Sequence, residues 1–334
     1  MSNLIPRIKT TNANWPDRQA ITYHNKLINK HWKNQNDTSA EPLPEFSVQN
    51  RSSFQARDIS WNMQTVSHLL KRTVTGSTLE EIHTVVNDGM ETSIQNLLAE
   101  QELPPPPGEW VSEELPDWNS LSSEETQGII QAYHNRMRAF QRWWAQRMMN
   151  GEMNITEIMT LFWHSYFASG YSKVFYPQAM YQQNNIFRIF SMGNFRDLIR
   201  QVTFGPAMMI WLDISGSRKN APNENYAREL MELFTLGVDN YSQNDVVAAS
   251  HAFTGYVTNG LQTNYDFDTM EGWGYWWNDW HDFDDKTFMG QTGPWTGDDI
   301  INMILDRDEC AVHICRKIYK WFLYNEPSID FINN

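Results

Sequence analysis

Cysteine is almost missing from this 334-residue chain, which has only Cys310 and Cys315. They stand in a stretch with helical apolar spacing, where a rise of ~1.5 Å per residue sets their Cα atoms beyond disulfide reach. A disulfide framework is excluded, and cysteine usage leaves the redox compartment open. Long apolar runs are missing too. Nothing approaches the roughly 18 uninterrupted apolar residues of a membrane helix, so no membrane span is expected. The opening Met1-Ser-Asn-Leu-Ile-Pro-Arg7 lacks the apolar centre of a secretory signal, so no export address is visible. Positive charge is scarce: 26 Lys and Arg stand against 40 Asp and Glu, a formal net charge of -14. With no basic run to offset it, that balance repels a phosphate backbone and sets nucleic acid aside as a partner. A phosphate-cradling glycine loop, a nucleophile elbow and a paired His-Glu zinc motif are also lacking. Cofactor and metal content are left open by these motifs.

What the chain does have is apolar and aromatic mass, 41% hydrophobic residues with 15 Trp, enough for a substantial core in one large or two ordinary domains. Residues 1–58 are polar and without period, and read as an irregular or partly ordered arm. Residues 59–334 read as a helical domain, with a candidate internal boundary in the proline-rich 104–118 loop. Helical spacing begins around Met63, Val66, Leu69 and Leu70 and returns around Ile82, Val85, Val86, Ile94, Leu97 and Leu98. A long helix is predicted over Ser123 to Met149, its Arg136, Arg138, Arg142 and Arg147 forming a solvated face. Asn154 with Glu157 reads as a capping pattern opening an apolar helix from Ile155 to Ser169. A helix from Asn223 to Gly237 follows, with Pro222 in its first turn and Gly237 just past its last. Ser242 to Gly255 reads as another helix, and Asp298 to Leu305 with Cys310 to Leu323 as a final pair. The fold class is mainly α: a multi-helix globular bundle with an irregular Trp/Asp-rich loop or short hairpin insertion at 256–297.

Several places carry residue types suited to chemistry. On the Asn223 to Gly237 helix, Tyr226, Leu230, Leu233 and Phe234 fall on one side and Glu224, Arg228, Glu229 and Glu232 on the other. The spacing of Glu224, Arg228 and Glu232 permits an ion-pair ladder; alternatively Glu229 or Glu232 is a general acid/base or an oxygen ligand. The preceding loop sets Arg218 and Lys219 beside backbone amides at a helix start. With Asn223, Asn225 and Arg228 they form a candidate ligand-binding set for an anion. His164 is polar within an apolar helix and needs a partner, such as a carboxylate from another helix. It is a satisfied core histidine or a catalytic one, and His251 is a weaker case of the same kind. In 273–286, Trp276, Trp277 and Trp280 interleave with Asp279, His281, Asp282, Asp284, Asp285 and Lys286. Flat rings beside carboxylates suit a carbohydrate or protein surface, while the same composition suits a packed loop. Cys310, His313 and Cys315 on one helix cannot all point at one ion and read as core.

These residues also carry a resemblance. Leu69-Leu-Lys-Arg72, Met159-Thr-Leu-Phe-Trp-His164, the whole of Asn223 to Gly237, Tyr241, Asp245-Val246, Ala252-Phe-Thr-Gly255, His281-Asp282, Lys286 and Gly290 resemble the uncharacterised bacterial family called domain of unknown function 1800. The resemblance spans about residues 60 to 325. It implies a mainly helical domain, usually in exported or periplasmic proteins, often encoded beside a sulfatase-like family, in chains that commonly extend further. It assigns no activity. Where the family commonly shows His-Asn-His this chain has His164-Ser165-Tyr166, and Thr75-Gly76 stands where it usually has Phe-Gly. The expected function is a scaffold or a glycan- or protein-binding component of an exported system. The alternative is a metal-dependent or acid/base hydrolase using His164, Glu229, Glu232, His281 and Asp282.

Overall fold

Side-chain caps decide where many of the helices begin. Asn62, Thr78, Ser122 and Ser242 each accept a backbone amide of the first turn, while the third residue of the helix folds back onto the cap; at Thr296 the Asp299 carboxylate folds back and accepts from both the Thr296 amide and its hydroxyl. Each such box satisfies amides that have no intrahelical partner. They open α1 (Met63–Thr73), α2 (Leu79–Asp88), α4 (Ser123–Asn150), α11 (Gln243–Ala252) and α12 (Gly297–Leu305). Between these lie α3 (Met90–Leu97), α5 (Thr156–Tyr166), the single turn α6 (Tyr171–Val174), α7 (Pro177–Ile189), α8 (Phe195–Phe204), α9 (Pro206–Trp211) and α10 (Glu224–Glu229). A π-helical turn, Leu230–Thr235, continues α10, and α13 (Asp308–Leu323) follows α12. The computed structural model describes residues 60–113, 115–151, 153–258 and 275–328, and the polar arm expected at 1–58 lies outside them.

The architecture is mainly α, as the periodicity predicts. The expected hairpin element is present as two short antiparallel pairs. In one, β1 (Tyr256–Val257) sets Tyr256 opposite the backbone of Trp276 in β2 (Tyr275–Trp276). In the other, β3 (Lys286–Phe288) meets β4 (Gln291–Gly293), with Lys286 opposite Gly293 and Phe288 opposite Gln291. The main core is built from α5 and α7 to α13 around Phe167, Phe187, Ile199, Met209, Leu230, Phe253 and Ile300. A second cluster, with Tyr133, Phe140, Tyr176 and Tyr181, joins α4 to α6 and α7; a third, with Val66, Leu70, Val85 and Leu97, holds α1 to α3. The proline-rich strap crosses the second cluster, where the Trp143 indole donates to the Pro105 carbonyl at 3.0 Å.

Four local expectations need correction. Asn154 does accept from the Thr156 amide at 2.8 Å, yet α5 starts at Thr156, and Glu157 turns away from the cap toward Arg188. Pro222 precedes the cap residue Asn223, so it lies outside the first turn of α10. Leu233 is 48% exposed, because the π turn winds wider than 3.6 residues per turn and rotates it off the core face. Finally, no helix is predicted over α7, although every residue from Pro177 to Arg188 is buried. Its Gln178, Gln182, Gln183, Asn184 and Asn185 carry a loop-like composition into the interior.

A buried ion pair anchors α7. Glu157 accepts from Arg188 Nε at 2.7 Å and Nη2 at 3.0 Å, and from the Trp144 indole at 2.9 Å. Arg147 adds a longer contact at 3.5 Å, and Asn184 accepts from Arg188 at 3.1 Å. Burial alone would raise the Glu157 pKa; the bidentate Arg188 pair and the Trp144 bond outweigh it and hold the carboxyl below its ordinary value. Glu157→Gln leaves the Arg188 charge buried without its counter-ion, and an expected loss of about 3–5 kcal/mol would be read by urea unfolding. Because the folded pKa is depressed, the stabilisation is present above the unfolded carboxylate pKa and is lost as pH falls through the folded value. The variant should therefore show a flatter stability profile in acid than the parent.

Candidate functional site

The sequence-predicted residues fall into three places. His164 lies on α5 with its ring edge-on to Trp144, centroids 5.0 Å apart, and to Phe187 at 6.1 Å. Its expected carboxylate partner is not found among the described residues. Burial holds its pKa below the ordinary value, so the ring is neutral at pH 7. Phe187 stacks on Phe167, which packs on Phe234 at 5.0 Å, so an aromatic layer stands between His164 and the helix bearing the two glutamates.

The second place is the polar face of α10. Glu224 accepts from Arg228 and from Gln243 Nε2, each at 2.9 Å, and Gln243 Oε1 accepts from Arg228 at 2.9 Å. This closed triangle ties α10 to α11. The ladder stops there, since Glu232 accepts from the Tyr241 hydroxyl at 2.9 Å instead of pairing with Arg228. Glu229 is half-buried, and burial together with the nearby Glu232 raises its pKa against the pull of Arg228.

The third place brings together candidates from three stretches of sequence. Lys219 donates its amide to the Trp280 carbonyl at 2.8 Å, Gly255 to the Ser217 carbonyl at 3.0 Å, and Trp277 to the Gly255 carbonyl at 2.8 Å. Gly255 is the crossing point. Its φ of +86 disfavours any side chain, and a Cβ there would lie 2.9 Å from His281 Cβ and 3.0 Å from the Trp277 carbonyl. The Arg218 guanidinium lies 3.6 Å from the centroid of the Trp280 ring, whose other face stacks on Trp277 at 4.8 Å and 4°. Trp280 is thus covered on both faces. The Trp276 side chain lies outside the described residues. Two of the amides at the start of α10 have partners within the protein: Asn223 donates to Ser217 Oγ and Asn225 to the Asn223 side chain.

Beneath the stack, Thr254 fixes the loop. Its hydroxyl donates to the His251 carbonyl at 2.6 Å and accepts from the Asp282 amide at 2.9 Å. His281 is buried and donates Nδ1–H to the Thr254 carbonyl at 2.8 Å, while burial pushes its pKa down. Lys286, also buried, donates to the Asp282 and Asp284 carbonyls at 2.5 and 2.7 Å, and burial lowers its pKa as well. Asp282 Oδ2 accepts from His251 Nδ1 at 2.5 Å, and its Oδ1 accepts from the Asp284 amide at 3.0 Å. Burial opposes the charge on Asp282, but those two bonds and Lys286 prevail and its pKa is lowered. Asp245, from the capping box of α11, accepts from the Met289 amide at 2.7 Å and closes the other end of the segment.

His251 is the site residue that sequence reasoning undervalued. It was legible only as a histidine in the last turn of a helix; its partner Asp282 comes from a distant loop. Because Nδ1 donates to the carboxylate, the neutral imidazole carries its lone pair on Nε2. Among the described residues no three His, Cys, Asp or Glu side chains come together as a metal cluster. Cys310 is buried and its thiol is pushed up to about 12 by that burial, so it is a thiol at pH 7, whereas Cys315, expected in the core with it, is exposed. No described helix is long and apolar enough to cross a membrane.

Fold and site together define a mainly helical protein with a loop clamped across two of its helix ends. The chain belongs to the family described as "Protein of unknown function (DUF1800)", whose model matches residues 68–334. No curated protein and no solved structure matches it. Of the residues that carry the family resemblance on α11 and beyond, Asp245, Thr254, Gly255, His281, Asp282 and Lys286 take part in the clamp.

The clamp makes a prediction about local stability. Asp282→Ala removes the acceptor for His251 and for the Asp284 amide. Hydrogen exchange should quicken by about tenfold or more at 277–288, through local opening, while α1 to α3 stay protected. Unchanged exchange at 277–288 would show that the loop is held without Asp282.

Proposed function

We propose that the protein is a binding component that recognises another protein through the clamped loop. The observation that carries this reading is the Arg218–Trp280–Trp277 stack, held by backbone bonds from both sides. Arginine and tryptophan in a fixed, partly desolvated arrangement are the residue types that dominate binding hot spots. Phe283, 60% exposed and edge-on to the His281 ring at 4.7 Å, supplies an apolar anchor on the same loop, and exposed Asp279, Asp284 and Asp285 supply a polar rim. Covered on both faces, Trp280 offers a sugar only its edge, which favours a protein surface over a glycan. The separation of His164 from Glu229 and Glu232 argues against the hydrolase built on those residues.

Affinity capture with the full chain tests this. A partner retained by the parent and lost by Arg218→Glu and by Phe283→Ser is the expected result. A glycan-array ligand that depends on Trp277 and is indifferent to Phe283 would transfer the site to carbohydrate. If neither variant changes any interaction, the reading is wrong.

A second reading, acid/base chemistry, is favoured by the His251–Asp282 pair, an oriented imidazole of which 30% of the side chain remains accessible. It predicts that turnover of a chromogenic ester, phosphate or glycoside falls by about 10²-fold or more in His251→Ala. Turnover that survives this change removes it.

A further inference from the structure

A cleft of about 400 Å³ opens where α5, the π turn and α13 meet, away from the clamped loop. Its volume is in the range of small-molecule sites. The floor is aromatic: Phe162 packs against Trp321 at 5.5 Å and Tyr166 at 5.6 Å between centroids. The Tyr166 hydroxyl is engaged with the Phe234 carbonyl at 2.9 Å, so this residue presents its ring to the cleft. The outer wall is Tyr324, 71% exposed, at the left-handed end of α13 with the Arg72 guanidinium 3.8 Å from its ring centroid. Leu233 completes the apolar lining, and it does so because the π turn rotates it outward. Local π distortions of this kind recur at functional sites.

The charge on the cleft is opposite to that of the chain. Lys317 and Lys320 line it and no carboxylate does, in a protein with a net charge of -14. Lys317 has no ion-pair partner among the described residues, and Lys320 is held by Glu326, which also accepts from Arg316 at 2.8 Å. We propose that this cleft binds a small organic oxyanion carried on a ring. The anionic group lies on Lys317 and Lys320, and the ring lies against Trp321 and Tyr324. Two ligand sources share that chemistry, acidic sugars and aromatic carboxylates. Glu326 acts as a built-in competitor that occupies Lys320 while the cleft is empty.

The test is titration of the full chain, followed by tryptophan fluorescence and ligand-observed NMR, with glucuronate, benzoate, glucose and inorganic phosphate. Glucuronate or benzoate should bind saturably, and whichever binds tighter identifies the source. Lys317→Ala with Lys320→Ala should weaken that binding about tenfold or more, as expected for loss of charged hydrogen bonds. Tyr324→Ala should weaken it several-fold, by roughly the worth of one ring contact. Glu326→Gln should tighten it by freeing Lys320. All four side chains are exposed, so the variants should fold. The proposal is overturned if neither ring-bearing anion binds below about 10 mM, if the double lysine variant binds as well as the parent, or if glucose matches glucuronate. Phosphate binding as tightly as both ring-bearing anions would also overturn it, since the aromatic wall would then contribute nothing.

Discussion

One carboxylate holds the helical framework together. Glu157, at the start of α5, is met by Trp144 and Arg147 from α4 and by Arg188 from α7, so three helices converge on two oxygens. A charge buried this deeply costs several kcal/mol unless its lone pairs are filled, and here they are. The pair also fixes the rotation of α5 about its axis. With Glu157 turned inward toward α7, Phe162 and Tyr166 are placed on the opposite flank, where they floor the cleft against α13. Phe167, just past the helix, packs on Phe187 and Phe234 and carries the same orientation into the main core.

The second organising constraint is steric. Gly255 lets the Ser217–Lys219 loop, the end of α11 and the Trp277–His281 turn pass within backbone hydrogen-bonding distance of one another. Without a side chain at that crossing, Thr254 can serve both His251 and Asp282, and Lys286 can be buried against two carbonyls. The basic loop and the aromatic loop, which look like separate features along the chain, become one surface. The same packing consumes groups that otherwise invite a ligand. The Asn223 and Asn225 amides at the head of α10 and both faces of Trp280 are occupied from within the protein.

Much of the helical layout was legible. The boundaries predicted for α4, α12 and α13 lie within a residue or two of those observed, because capping boxes and amphipathic spacing act over a single turn. Gly237 was readable as a stop, and its φ of +79 agrees. The failures have physical causes of their own. Helix α7 escaped because glutamine and asparagine suggest exposure, whereas the packing of the surrounding helices buries them. Leu233 escaped because a constant 100° per residue does not hold through a π turn. The ladder through Glu232 escaped because spacing permits a pair but does not exclude Tyr241 as a better-placed partner.

The sequence by itself determined the mainly helical class, the caps and ends of most helices, the acidic balance and the family to which the chain belongs. These follow from interactions within a few residues or from composition, which any fold of the chain would share. Only the tertiary structure decided which chemistry-bearing residues meet. His251 finds Asp282 and Glu157 finds Arg188 across 31 positions of sequence in each case, and Arg218 finds Trp280 across a longer span still. Such encounters are set by how whole helices pack, and helix packing depends on the shape of every buried side chain at once.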